Sequence, residues 1–406
     1  MARSASARFS SHLSNVTAPS RRIILSVSLV VAALMPARAQ SISSKTDSAG
    51  GTPLSSPGLA VRPMNWASWG SVQTGLGFRD NVLLSHADED RSSFVRTGFD
   101  AWVCHDPLDR ADLLTGITAT GTRYLSADAA TKAIEAIVLA EWRYRLGDSL
   151  KLSLANTGYY FDQVYDASSE NDPRPVGSEV ETFGESFGPK LRWMFRPTWW
   201  FEVQANGKRE VFPDGFYNRG LVETSGRVGW HPNNRLEVSF AGTDRRRVYD
   251  RRPQNSISGR PLSGTRLAVT ERETEARVDT TLDQAGRWKV GMRAGVLHYE
   301  DNGAGYLNYR HRRVAQDLQW QSENWMVAIE GSARRVEYEK QTVGLGVAPP
   351  RRVRDDFSGR LRIERKLNER WSAFAECNWE RNRSNDDLAS YSLNEGLLGI
   401  RWNWEK

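Results

Sequence analysis

From about Trp69 onward, apolar and polar residues alternate along this chain with a period of two. In the closing stretch, Leu398, Ile400, Trp402 and Trp404 fall on one face, while Leu397, Gly399, Arg401 and Asn403 fall on the other. Ile134, Ala136, Val138, Ala140, Trp142 and Tyr144 alternate in the same way with Glu135, Ile137, Leu139, Glu141 and Arg143. The runs 199–206, 236–241, 289–296 and 357–364 repeat the pattern. Such alternation marks strands with one apolar and one polar face. A slip of one residue would exchange the faces, so register is strongly specified. The runs extend over roughly 10 to 14 residues, longer than an ordinary soluble strand.

Two kinds of connection alternate between the runs. Short, turn-like ones occur at Asp106–Asp109, Leu146–Asp148, Arg196–Thr198, His231–Asn234, Asp283–Gly286, Ser322–Asn324 and Leu367–Arg370. Longer, more polar ones centre near Asp88, Ala129, Asn171, Asp214, Asn255, Asn302, Gly346 and Asp386. That spacing predicts an all-β chain, a transmembrane antiparallel up-and-down β-barrel of about 16 strands. In hydrocarbon every backbone donor and acceptor needs a partner, and a sheet meets that need only by closing on itself. A soluble β-sandwich or propeller shares the alternation. The chain shows no repeated blade motif, which argues against a propeller.

The N-terminus reads as an export signal over residues 1–39: Arg21 and Arg22, an apolar run from Ile23 to Met35, then Ala37-Arg38-Ala39. The apolar run falls short of the roughly 20 residues of a membrane-spanning helix. Residues 40–66, rich in Ser, Gly, Pro and Thr, read as a flexible periplasmic leader, and 67–406 as the outer-membrane barrel. The mean hydropathy of −0.56 suggests a soluble protein. Alternating strands average to polar on any hydropathy scale, so it does not exclude a barrel.

Aromatic placement sharpens the picture. The chain has 15 Trp. Trp142, Trp193, Trp199, Trp230, Trp288, Trp320, Trp371, Trp402 and Trp404 lie beside predicted short turns or the chain end, as do Trp66, Trp69, Trp102, Trp200 and Trp325. Trp379 does not. Most Tyr residues, among them Tyr124, Tyr159, Tyr160, Tyr249, Tyr299, Tyr309 and Tyr338, lie beside the longer loops. Amphipathic rings gather at membrane–water interfaces, so the two sets predict two girdles.

If the apolar rows face lipid, the other rows line a lumen. Glu135, Glu141, Glu202, Glu237, Glu275 and Glu364 would place negative charge there. Arg143, Lys190, Arg192, Lys208, Arg227, Arg277, Arg293, Arg360 and Arg362 would place positive charge there. Charges at this density must be solvated or paired. They form either an ion-pair network that stiffens the wall or a pore whose charges sort solutes. Asp244–Thr265, with Arg245-Arg246-Arg247 and Arg251-Arg252, reads as a solvated loop that could also fold inward or grip lipid phosphate.

The net charge is +6. An exported chain has little access to nucleic acid, so basic loops point instead to glycolipid phosphates or anionic polysaccharide. Cys104 and Cys377 fall on strands that are near but not adjacent, which leaves a disulfide open without favouring it. No enzyme is expected. The His residues are scattered without metal-ligand spacing, and no G-x-S-x-G occurs. No cofactor or metal is implied.

The first strand reads Gly75-Leu76-Gly77-Phe78-Arg79-Asp80-Asn81-Val82. This segment resembles the opening of a beta-barrel porin family of bacterial outer-membrane proteins, with Arg79 where an acidic residue is common. The resemblance implies an outer-membrane location, and for some relatives a role near exopolysaccharide export.

The expectation is a porin-like conduit for small solutes or exported polysaccharide. The alternative is a structural or adhesive barrel with a plugged lumen. Expected partners are outer-membrane lipid and the barrel-assembly machinery, with no nucleic acid.

Overall fold

The computed structural model describes residues 65–86, 89–108, 110–127, 130–166 and 177–405. The expected signal and nearly all of the leader lie outside the described residues. Sixteen antiparallel strands follow one another around a closed ring. They are β1 (Asn65–Arg79), β2 (Ser92–Leu108), β3 (Ala111–Tyr124), β4 (Lys132–Arg145), β5 (Leu150–Asp166), β6 (Gly177–Arg196), β7 (Trp199–Val211) and β8 (Arg219–Asn233). The second half comprises β9 (Leu236–Tyr249), β10 (Ala268–Thr281), β11 (Trp288–Asp301), β12 (Tyr309–Gln321), β13 (Trp325–Thr342), β14 (Arg351–Lys366), β15 (Trp371–Ser384) and β16 (Tyr391–Glu405). Every predicted turn and loop falls at a junction between two of these strands, although β2 and β8 run on into the turns expected at Asp106–Asp109 and His231–Asn234.

Closure removes the edges that an open sheet would expose to lipid. β1 pairs with β16 over Trp69↔Glu405 to Arg79↔Glu395. The segment with the family resemblance fastens this seam at its long-loop end. Asn394 donates both its backbone and side-chain N–H to the Asp80 carboxylate, each at 2.7 Å. Asn81, fully buried, donates to the Ser392 carbonyl at 3.0 Å and accepts from the Ser85 backbone N–H at 2.9 Å. Gly77 is required because the Phe94 ring lies across it: a Cβ there would sit 2.3 Å from that ring.

Facing directly opposed residues share a side of the sheet. One set of rows leaves large apolar side chains bare: Leu76 and Leu398 are each 67% exposed, and Phe240 is 60% exposed. The other set makes contacts that jump over a strand, such as Arg96 on β2 to Glu395 on β16. Such reaches occur on the concave side. The apolar rows therefore face outward and the charged rows inward.

All nine girdle tryptophans from Trp142 to Trp404 named above lie on outward rows at the short-turn end. Trp199 pairs with Trp230 and Trp288 with Trp320, with ring centroids 6.1 and 6.0 Å apart. Trp69, Trp102 and Trp200 instead occupy inward rows. Trp200 is 1% exposed, lies over Gly229, and has the Arg192 guanidinium 3.9 Å from a ring centroid.

The expected Tyr girdle is corrected. Tyr124, Tyr159, Tyr249, Tyr299, Tyr309 and Tyr338 all lie on inward rows, and of the tyrosines named beside the longer loops only Tyr160 faces outward. At the long-loop end the connections fold over the mouth, which gives inward rings an apolar environment there. Tyr249, Leu267, Val269, Leu297, Tyr299 and Leu307 form one such cluster. Val82, Phe94, Tyr124, Ala127, Ala130, Phe374 and Leu397 form a second. The phenol oxygens keep polar partners: Arg219 donates to Tyr249 at 3.1 Å and Arg79 to Tyr124 at 3.3 Å.

The Asp244–Thr265 loop is also corrected. β9 continues to Tyr249, so the Arg245-Arg246-Arg247 run is strand. Both faces are polar at that height, so the alternation that marks a strand vanishes from the sequence. The true loop, 250–267, lies against the β11–β12 connection: Gln254 donates to the Asn302 carbonyl at 3.3 Å, and the Tyr306 ring covers Gly259. Cys104 and Cys377 are not joined in a disulfide; one lies on an inward row and the other on an outward row.

Candidate functional site: the charged lumen

Every charged residue assigned to the interior by alternation falls on an inward row. The strands hold these side chains at fixed height and direction, so their pairing follows from register. Five groups result.

On β14 to β16, Glu376 accepts from Arg360 at 2.8 Å and from Arg362 at 3.0 Å. Arg362 also holds Glu364 at 3.0 Å, and Arg401 approaches Glu364 at 3.3 Å. Gln73 on β1 accepts from both arginines, at 3.3 and 3.0 Å. Above them, Arg96 grips Glu395 with two hydrogen bonds of 2.9 and 3.0 Å, and Arg79 lies 3.6 Å away.

On β8 to β12, Arg245 contacts Glu223 and holds Glu273 at 2.9 Å. Arg247 holds Glu271 at 2.9 Å, and Arg313 bridges Glu273 and Glu275 at 2.6 Å each. On β5 to β8, Glu210 takes Arg219, Lys208 at 2.9 Å and the Tyr159 hydroxyl at 2.6 Å. Near the short-turn end, Glu141 pairs with Arg143 at 2.7 Å and lies 3.9 Å from Lys190.

The fifth group is open to water. Arg277 pairs with Asp279 at 2.6 Å with both side chains 39% exposed. Arg293 and Asp317 stand 3.8 Å apart, both 46% exposed. Glu135, Glu202, Arg227 and Glu237 make no ion pair among the described residues. A packed interior could not leave Arg293 and Asp317 so exposed at mid-strand; these groups face water.

A polar cavity of about 360 Å³ lies inside the barrel, lined by Gln73, Arg79, Arg96, Thr120, Glu135 and Arg360 among others. Its walls come from strands on both sides of the β1–β16 seam. The mixed signs around it let the wall contact either charge of a solute.

Sequence alternation missed Gln73, Arg96, Glu210, Arg245, Arg247, Glu271 and Glu395 as interior groups. The signal was present for some: Glu395 continues the inward row Leu397, Gly399, Arg401 by two residues. Arg245 and Arg247 were hidden by the loop reading. No group of His, Cys, Asp and Glu with metal-binding geometry occurs among the described residues.

A closed antiparallel ring with an apolar outer belt, a tryptophan girdle and a wet interior is the architecture of a porin-like outer-membrane barrel. The protein resides in the bacterial outer membrane. No protein-family model matches the chain, and no curated protein matches it in sequence. Among solved structures it is similar to the anion-selective porin from Comamonas acidovorans, at 9% identity over 84% of this chain and 100% of that one, with a TM-score of 0.46. It is also similar to OccAB4 of Acinetobacter baumannii, at 8% identity over 85% and 99%, TM-score 0.46. OmpT, an outer membrane protein of Vibrio cholerae, gives 15% identity over 85% and 99%, TM-score 0.44. None of these likenesses assigns a role to a residue of this chain.

Proposed function

We propose that this barrel is a passive, weakly selective conduit for small hydrophilic solutes. The observation that carries the reading is the exposure of paired charges at mid-strand on the inner wall, above all Arg293 and Asp317. Water reaches them, so a solute of similar polarity can follow. The alternating signs hold small charged solutes weakly at several heights, which favours passage over retention.

In this reading the outward rows meet bilayer lipid, and residues 1–39 direct export. β16, which ends on Trp402 and Trp404, presents the segment read by the barrel-assembly machinery. An exported polysaccharide is the second cargo, favoured by the line of hydrogen-bonding side chains at Gln73, Thr120 and Thr122. Liposome swelling with full-length protein tests the reading. Amino acids and disaccharides should enter at rates that fall steeply with solute size. Swelling no faster than that of protein-free liposomes would support the plugged, adhesive barrel.

A further inference from the structure

The outer wall of β12 to β15 carries a cluster that conduction does not use. Its cross-strand rows are fixed by register. Arg312, Arg335, Asp355 and Arg383 stand side by side on one outward row. Arg310 and Glu337 lie on the row nearer the loops, and Val314, Ala333, Phe357 and Arg381 on the row nearer the membrane centre. Five arginines thus meet two carboxylates on a surface facing away from the lumen. Arg335 takes both, with Glu337 at 2.9 Å and Asp355 at 3.8 Å. Arg310, Arg312, Arg381 and Arg383 are exposed and make no ion pair among the described residues.

This arrangement opposes itself. Arg312 and Arg335 are direct cross-strand neighbours, and like charges so placed destabilise a sheet. Unpaired arginine is also costly in hydrocarbon and tolerable only near the interface, which sets these rows at headgroup height. An anion between them would relieve both penalties. Guanidinium groups match phosphate oxygens in pairs, better than point charges do.

The next row towards the membrane centre is Gln316, Gly331, Gly359 and Trp379. Gly331 and Gly359 leave the wall bare beside the indole, and a Cβ at Gly359 would touch Trp379 at 3.5 Å. Trp379 is 40% exposed and is the tryptophan that stands apart from the short-turn girdle. Below it lie Leu318, Ile329, Leu361 and Cys377. From the loops inward the wall therefore presents cations, then a flat aromatic shelf, then an apolar strip. A phosphorylated glycolipid presents phosphate, sugar ring and acyl chain in that order.

We infer that this face binds a phosphorylated glycolipid of the outer leaflet, with the arginine rows from Arg312 on β12 to Arg381 and Arg383 on β15 facing its phosphates and Trp379 beneath its sugar. The inference rests on the outer-membrane placement and is independent of conduction.

The test is native mass spectrometry of full-length folded protein. It is titrated with a phosphorylated glucosamine lipid and with the same lipid stripped of phosphate. The protein should retain the phosphorylated lipid about tenfold more tightly. The triple variant Arg312→Gln/Arg381→Gln/Arg383→Gln should lose most of that preference while keeping its single-channel conductance. Excess inorganic phosphate should fail to displace the lipid, because it lacks the ring and chain. Equal retention of the two lipids by the unmodified protein would overturn the inference without any variant. Full displacement by inorganic phosphate would overturn it too, as would an unchanged preference in a folded triple variant.

Discussion

Glu395 offers a direct test of how the inner wall is held. Its side chain is 5% exposed and accepts two hydrogen bonds from Arg96 at 2.9 and 3.0 Å and one from Asn378 at 3.0 Å. Arg79 stands 3.6 Å away. The carboxylate therefore ties β2 and β15 to β16 across the seam. Glu395→Gln keeps the volume and removes the charge. The amide can still accept from one arginine, but its NH2 group would point at the other. Breaking a buried pair costs about 3 to 5 kcal/mol. Arg79 and Arg96 retain 16% and 19% exposure, so water will screen part of that loss and the low end applies. About 3 kcal/mol corresponds to a change of roughly a hundredfold in the unfolding equilibrium. Urea unfolding of protein folded into lipid vesicles, followed by tryptophan emission, should show a lower midpoint with an unchanged slope. Combining the change with Arg96→Gln should cost less than the sum of the two, because the second change removes the orphaned charge. A Glu395→Gln protein within about 0.5 kcal/mol of the original would refute the reasoning, since that is the magnitude of a screened surface pair.

Three further outcomes follow from the geometry. Cys377 lies on an outward row among Leu361 and Leu318, and Cys104 on an inward row near Glu141, so in vesicles a lipid-soluble maleimide should modify Cys377. A charged, water-soluble reagent should modify Cys104 through the lumen, the reverse pattern would exchange the faces, and reductant should leave the gel mobility unchanged. Asp250 lies outside the strands, where the Arg209 hydrogen bonds hold its carboxyl below the usual carboxylate range. Its folded pKa is depressed, so its contribution is complete above the unfolded value of about 3.9 and fades as pH falls through the lower folded value. Hydrogen-exchange protection in residues 250–267 should drop in that acid window, and Asp250→Asn should abolish the pH response. Protection independent of pH in the unmodified protein would contradict the link.

Much of the barrel was legible because lipid imposes one rule on every strand. Leu236, Val238 and Phe240 must all point the same way, and Glu237 with them would be costly in hydrocarbon. That rule fixed register within each strand, and the short turns fixed the order of strands. It weakens above the membrane, where both faces of a strand are wet. There Arg245 and Arg247 resembled loop, although Glu223, Glu271 and Glu273 await them on neighbouring strands. Pairing partners lie on other strands, so no single run reveals them. The tyrosines were misplaced for a related reason. Closeness to a loop gives height along the barrel but not side, and Tyr299 and Tyr309 turn inward to stack at 4.5 Å. The wall patch around Arg312 and Trp379 was equally hidden, because it is assembled from β12 to β15.

The central claim is that water fills the barrel past Arg293 and Asp317. Single-channel recording in a planar bilayer addresses it directly, using full-length protein whose folding is verified by heat-modifiable gel mobility. The account predicts discrete, long-lived conductance steps of uniform size, whose cation–anion preference shifts towards cations in Arg293→Gln. Repeated insertion of folded protein without any current step would contradict it.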